Sequence, residues 1–363
     1  MPRLIDKIDA AIGGTPEHLE LDVDYLQQRP CPPVLIDADG HYTPGWFDDW
    51  TGVLNFQDGY ALDIAFHRFF HLTLDTPRHF LVWNIADFQR AGNTALLVCD
   101  KATGRFEKSS VQMVFPRNPI RVSPDARHFT DTASRSFIRA DEAGSIHFSM
   151  HCEHLHLQGV AEPAIGPTFV QCTRYQRGRG SLQWYGALRL RFGTLTVGDD
   201  VWNLPEGSLG TMDRTIGHQR GMQNWCWIAS AGPARSVETG RDALLALQIA
   251  RDGPRARPQV ASRKHIVWLD GRVTKIPTAS FQFTRDEQGA SGPWEIRSQP
   301  GEDSGFDLHL EPRFHRREQA HGWLVHADFN QHYGPLVGRV RVHGETWELR
   351  DHFAVAEDVL LEL

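Results

Sequence analysis

From about residue 50 onward the chain is a succession of short apolar or alternating runs, each broken by Gly, Pro or Asp. They include HFLVWNIADF (79–88), TALLVCD (94–100), SIHFSMHCEHLHL (145–157), WYGALRLRF (184–192), NWCWIASA (224–231), HIVWLDGRV (265–273), GWLVHADF (322–329) and GRVRVHGETWEL (338–349). Runs of this length with period-two alternation predict strands. The segments LDGR and VHGE within them predict tight hairpin turns. ALLALQIA (243–250) has helical propensity, but its hairpin surroundings and the bracketing Gly240 and Gly253 predict a strand. The gaps between runs leave little room for crossover helices, so parallel βαβ architecture is excluded and an antiparallel, meandering all-β protein is expected. Residues 2–12 predict a short amphipathic helix, and Pro30, Pro32 and Pro33 end any regular structure after it.

A chain of 363 residues accommodates two such sheets or barrels of roughly 150 residues each. Turn residues cluster at DDVWNLPEGSLG (199–210), which is the expected junction. The predicted organisation is a lead segment 1–44, a first β-barrel half 45–205 and a second half 206–363.

Composition narrows the function classes. Hydrophobic residues make up 40% and charged residues 23%, which excludes disorder as the main state. The net charge of -7 argues against nucleic acid as a partner. No run approaches the roughly 20 apolar residues of a membrane span. The start, MPRLIDKIDAAIGG, has acidic residues inside its only apolar part, unlike a signal peptide or a lipidation signal. The five cysteines (31, 99, 152, 172, 226) are odd in number and without CxxC spacing, so a reduced, cytoplasmic protein is expected. GxxxxGK[ST], GxGxxG, HExxH and GxSxG are all missing, and no cofactor is implied.

Several stretches resemble the bacterial family catalogued as domain of unknown function 2804. They are WNIADFQRAGNTALLVCDKATGRF (83–106), GTMDRTIGHQRGMQNWCWIASAG (210–232), HIVWLDGRV (265–273), GPWEI (292–296), DFNQHYGPLVGRVRV (328–342) and HFAVAEDV (352–359). More distantly, the chain is similar to the superfamily of AttH-like proteins, carotenoid 1,2-hydratases and lipocalin-like cyclases. That resemblance implies two tandem lipocalin-like antiparallel β-barrel halves. It also implies action on hydrophobic substrates without organic cofactors, by protonating alkenes or shaping a cyclisation. The hydratases carry a D-H-N-x-G type motif at the start of the second half. The matching stretch here reads Asp213-Arg214-Thr215-Ile216-Gly217: Asp and Gly match, Arg214 replaces the His, and His218 follows closely.

Four constellations carry candidate chemistry. The first is Asp213, Arg214, His218, Arg220, Trp225 and Trp227. An Asp walled by tryptophan has its pKa raised by desolvation and can protonate an alkene, while indole faces stabilise the developing cation. The plainer alternative is an Asp213 salt bridge to Arg214 or Arg220 with tryptophans as filling. The second is the histidine run His147, His151, His154 and His156. Read as one strand, His154 and His156 share a face with Cys152, and Glu162 has the same parity, as in cupin-like metal sites. The incomplete set favours ordinary imidazoles, and no metal is expected. In the third, alternation groups Gln331 and Tyr333 with the apolar face and turns Asp328 and His332 away. Tyr333 there is either a proton donor or a packed Tyr with one satisfied hydroxyl. The fourth is Trp83, Asn84, Asp87, Gln89 and Arg90, bordering the cavity of the first half, with an Asp87–Arg90 pair as the default. RYQRGRG (174–180) and FHRREQ (314–319) read as solvated loops.

The resulting expectation is a cofactor-independent hydratase/dehydratase, isomerase or cyclase acting on a hydrophobic, isoprenoid- or polyketide-like small molecule. Asp213, His218 and Tyr333 are the catalytic candidates; Trp83, Arg214, Trp225, Trp227 and Gln331 are the substrate-binding ones. The alternatives are a noncatalytic binder of lipid or other apolar ligand, and a cupin-like metalloenzyme.

Overall fold

The computed structural model describes residues 28–56, 66–87, 91–114, 119–174, 180–218, 222–252, 264–286, 292–299, 303–321 and 326–362. The expected N-terminal helix lies outside these residues. The strands in chain order are β1 (Gly45–Phe47), β2 (Phe66–Asp75), β3 (His79–Asp87), β4 (Ala91–Asp100), β5 (Phe106–Val114), β6 (Ile120–Val122), β7 (His128–Asp131), β8 (Ser136–Ala140), β9 (Ile146–Cys152), β10 (Leu155–Arg174), β11 (Gly180–Val197), β12 (Asp200–Leu204) and β13 (Leu209–His218). The series continues with β14 (Met222–Ser236), β15 (Asp242–Asp252), β16 (Lys264–Leu269), β17 (Arg272–Lys275), β18 (Ser280–Gln282), β19 (Trp294–Arg297), β20 (Gly305–Leu310), β21 (Phe314–His321), β22 (His326–Val342), β23 (Glu345–Leu349) and β24 (His352–Glu362). No helix occurs among the described residues.

These strands form two antiparallel sheets, each curled into a half-barrel. The 13-stranded sheet runs β5-β4-β3-β2-β13-β11-β10-β9-β8-β7-β6, with β1 on β10 and β12 on β11. The 11-stranded sheet runs β17-β16-β15-β14-β23-β22-β20-β19-β18, with β21 on β22 and β24 between β14 and β22. The chain passes from one sheet to the other later than the expected 199–210 turn cluster. β12 and β13 still hydrogen-bond into the first sheet, so the changeover follows His218. The 199–210 segment instead holds β12, flanked by turns that join strands of the same sheet.

The hairpin turns follow from local chemistry. Asp270 and Gly271 both have positive φ between β16 and β17, and so do His343 and Gly344 between β22 and β23. Two left-handed residues in succession make the type I′ geometry whose twist suits a hairpin. ALLALQIA lies within β15. The run 145–157 is not one strand: it reverses at Glu153 (φ 45) into the β9–β10 hairpin, pairing His156 with His151. Burial changes parity across that turn, from Phe148, Met150 and Cys152 to Leu155 and Leu157.

The packing has three layers of side chains. Inside the first half-barrel lie Leu81, Trp83, Ile85, Phe148, Trp184, Met212 and Ile216. Inside the second lie Cys226, Ile228, Val267, Leu269, Trp294, Ala354 and Ala356. Between the sheets lie Phe80, Val82, Trp227, Ala229, Tyr333, Phe353 and Val355, and further along Leu209, Tyr185, Ala231, Ile266 and Trp268. Several strands are therefore buried on both faces; all six residues of β16 are buried. Polar ties cross the layer: Gln248 Nε2 donates to Met212 O (2.8 Å), Trp268 Nε1 to Pro167 O (2.9 Å) and Phe353 N to Asp75 Oδ2 (3.2 Å).

The β2–β13 pairing leaves no room for a side chain at Gly210, where a Cβ would stand 1.9 Å from Thr73 O. Gly210→Ala is expected to destabilise the fold by about 1–3 kcal/mol, the usual range for forced overpacking. Thermal or urea unfolding checks this, and an unchanged melting temperature would contradict it.

Candidate functional site

On β13, successive residues point alternately into the first half-barrel and into the intersheet layer. Asp213 takes the intersheet direction, beside His71 on β2 and Tyr185 on β11 in register. It is half-buried, and Thr215 Oγ1 donates a hydrogen bond to its Oδ1 at 3.2 Å. Burial raises its pKa from 3.8 to about 7. The positive charge of Lys264 opposes that rise, and the carboxylate of Glu357 adds to it. The physical reason is that an anion loses water here without gaining a full ion pair.

His71 is 2% exposed, and its ring stands perpendicular to Trp227 with centroids 5.0 Å apart. Neither ring nitrogen has a hydrogen-bond partner among the described residues. Burial, assisted by the positive charge of Arg316, lowers its pKa to about 3, so the imidazole is neutral. Across the layer, Glu357 on β24 accepts from Trp225 Nε1 (3.0 Å) and from Gln331 Nε2 (2.6 Å). Burial still outweighs these bonds and raises the Glu357 pKa. Gln331 Oε1 in turn accepts from Arg316 Nη1 (2.7 Å) and from the Tyr333 hydroxyl (2.6 Å). Arg316 continues to Glu318 (2.7 Å), which also pairs with Lys108 of the first sheet. The Tyr333 hydroxyl is fully buried and held far from ionisation.

The structure thus gathers five of the sequence candidates, Asp213, Trp225, Trp227, Gln331 and Tyr333, on the intersheet layer. It sends three elsewhere. Trp83 is wholly buried inside the first half-barrel against Phe148. Arg214 stacks on Trp184 in the same interior, its guanidinium carbon 3.9 Å from the ring centroid. His218 lies there too, its Nδ1 2.9 Å from the Tyr42 hydroxyl. Alternation is the cause, since residues one and five positions beyond Asp213 face the opposite side. The alternative Asp213–Arg214 salt bridge fails for the same reason, and Arg220 lies outside the described residues.

Other expectations change as well. The His154–His156 strand face does not form, because the turn intervenes. His154 is 3.3 Å from Glu107 Oε2, and His156 is 3.4 Å from His151. Asp87 pairs with Arg68 at 2.7 Å, and Gln89 and Arg90 lie outside the described residues. Asp328 is held by Arg317 through two contacts of 3.0 and 3.1 Å. FHRREQ is a strand rather than a solvated loop, and its Arg316 is 4% exposed. His71, Lys264, Arg316 and Glu357 were not singled out from the sequence. The available signal was a lone polar residue at a parity whose neighbours are apolar, as in HFAVAEDV around Glu357.

The sequence profile of a family described as Domain of unknown function (DUF2804) matches residues 27–362, and the chain belongs to that family. No curated protein matches the chain. Among solved structures, an AttH-like protein of Nitrosomonas europaea is 12% identical, with a TM-score of 0.51, covering 84% of this chain and 97% of that one. Kievitone hydratase of Nectria haematococca is also 12% identical, with a TM-score of 0.49, covering 81% and 88%. At this identity the first likeness establishes the AttH-like, lipocalin-type fold.

Asp213→Asn provides a stability test with a defined sign. Asp213 has a folded pKa near 7 and an ordinary value of 3.8, so the wild type loses stability as pH rises through that window. Asn carries no charge to desolvate. The variant should match wild type in melting temperature at pH 4, exceed it increasingly up to pH 7, and hold a constant advantage above. A variant less stable at pH 8 would contradict this assignment.

Proposed function

We propose that the intersheet layer houses cofactor-independent acid–base chemistry on a hydrophobic small molecule: hydration or dehydration, isomerisation or cyclisation. The observation that carries this reading is Asp213, a carboxyl group on an aromatic-lined layer with a pKa near neutrality. A pKa raised to about 7 leaves this carboxyl a proton to give near neutral pH, which suits a general acid.

In the hydration direction, the Asp213 proton is delivered to an alkene carbon, forming a C–H bond and leaving a cationic centre. The faces of Trp225 and Trp227 favour that charge. Water then forms the C–O bond and releases a proton to the Asp213 carboxylate, restoring the acid. His71 supplies a neutral imidazole with both nitrogens unpaired, able to hold a substrate hydroxyl or the incoming water. Glu357, fixed by Trp225 and Gln331, offers a second carboxyl for orientation or proton exchange. Dehydration is the reverse sequence. Isomerisation and cyclisation replace water by proton loss or by an internal double bond.

Every version makes or breaks a C–H bond through an acid that exchanges its proton with solvent. In deuterated water, isoprenoid- and polyketide-like alkenes should give deuterium-labelled products by mass spectrometry, and alcohols that are dehydrated reversibly should be recovered with deuterium exchanged in. Asp213→Asn should lower that rate by about 10²–10⁴-fold, the usual contribution of a general acid. Undiminished exchange in the variant would overturn the assignment of Asp213. Tight binding of these compounds with no exchange in the wild type would leave the noncatalytic binding role in its place.

A further inference from the structure

The β9–β10 hairpin brings two imidazoles together on the outer face of the first sheet. His151 and His156 are direct cross-strand partners, and both are exposed while Met150, Cys152, Leu155 and Leu157 beside them point inward. Their Nδ1 atoms face each other at 3.4 Å, with ring centroids 5.0 Å apart and planes at 76°. Their Nε2 atoms are engaged elsewhere: that of His156 lies 3.3 Å from Glu153 O, and that of His151 lies 3.0 Å from Ser149 Oγ. A carbonyl oxygen can only accept, so the neutral His156 ring carries its hydrogen on Nε2 and turns an Nδ1 lone pair toward His151. When the Ser149 hydroxyl accepts as well, two lone pairs oppose each other across the strands. A cation placed between them relieves that repulsion.

The spacing suits one class of cation. Zinc holds imidazole nitrogens at about 2.0–2.1 Å in a tetrahedron, which puts two of them about 3.3–3.4 Å apart. A metal-bound histidine ordinarily donates its other ring N–H to an oxygen acceptor, which fixes tautomer and ring direction. Glu153 O and Ser149 Oγ occupy those positions. The frame is also fastened: His151 N donates to Ser136 Oγ (3.1 Å), and Gly198 N donates to His154 O (2.8 Å). The other histidines of the run turn elsewhere, His147 to Asp141 and His154 to Glu107, both at 3.3 Å.

We propose that His151 and His156 form a two-histidine site for a divalent transition-metal ion of the zinc class, with water completing the tetrahedron. The site lies outside both half-barrel interiors and outside the intersheet layer, and is independent of the chemistry proposed for Asp213. An ion held there clips β9 to β10 beside their turn.

Calorimetric titration of the full chain with zinc chloride tests it. The tightest step should take up one equivalent, and magnesium in about hundredfold excess should not compete, because it prefers oxygen donors. His151→Gln and His156→Gln should each weaken that step at least tenfold. The double variant should lose little more, since one imidazole alone cannot chelate. His154→Gln and Asp213→Asn should leave the step unchanged. Both histidines of the pair are exposed, so their single variants should melt with the wild type in the presence of a chelator. Zinc should then raise the melting temperature of the wild type and not of either variant, because an ion that binds the folded state stabilises it. Absence of a one-equivalent step, undiminished zinc affinity in His151→Gln and His156→Gln, an equal loss in His154→Gln, or displacement by magnesium would each overturn the proposal.

Discussion

An extended strand sends neighbouring side chains to opposite faces, and at the centre of this protein both faces are interior. This constraint organises everything else. One face of β13 belongs to the first half-barrel and the other to the layer between the sheets. Asp213 and Arg214 are adjacent in the chain, yet they occupy different compartments with different chemistry. A polar residue placed on such a strand has no solvent side to turn toward. It must be neutralised, paired or matched by something that enters.

The intersheet layer displays the first two outcomes. Arg316 is paired through Glu318 and hydrogen-bonded to Gln331. His71 is neutralised by burial. Glu357 is hydrogen-bonded on both oxygens and still displaced toward its protonated form. Leaving a buried polar group unmatched costs about 1–3 kcal/mol, which apolar packing alone does not recover. The aromatic groups around these residues, among them Trp225, Trp227 and Phe80, keep the layer poor in water. Low polarity is what holds a carboxyl group near neutrality, so the packing that stabilises the sheets and the acidity of Asp213 have one origin.

The strands were largely legible from the sequence because alternation, turn residues and strand length are local properties. Asp-Gly and His-Gly turns announced themselves, and β15 was recoverable from its context. The β9–β10 hairpin was not, because Glu153 adopts a left-handed conformation without a Gly or Asn to signal it. Within the candidate site, Asp213, Trp225 and Trp227 sit close in sequence and could be grouped by eye. His71, Arg316 and Glu357 reach the same layer from β2, β21 and β24, and only the sheet order brings them there. Parity showed that Gln331 and Tyr333 share an apolar face, but it could not distinguish a barrel lumen from a seam between sheets. Arg214 and His218 have the parity opposite to Asp213 and so face the other side of β13, while Trp83 lines the interior of the first half.

The closure of the first sheet also sets an order of events during synthesis. β2 can complete its ladder only when β13 arrives, and the Thr73–Thr211 side-chain bond joins residues 138 positions apart. Ordering so long an intervening segment before any return is a slow, non-local step. Until the ribosome has released residues through His218, one edge of β2 exposes unpaired backbone groups and an apolar face, the hallmark of an aggregation-prone intermediate. Asp213 and His71 face each other across that last seam. The Asp213–His71 side of the site therefore forms only when the first sheet is completed, and the buried layer around it only when the second sheet packs against that face.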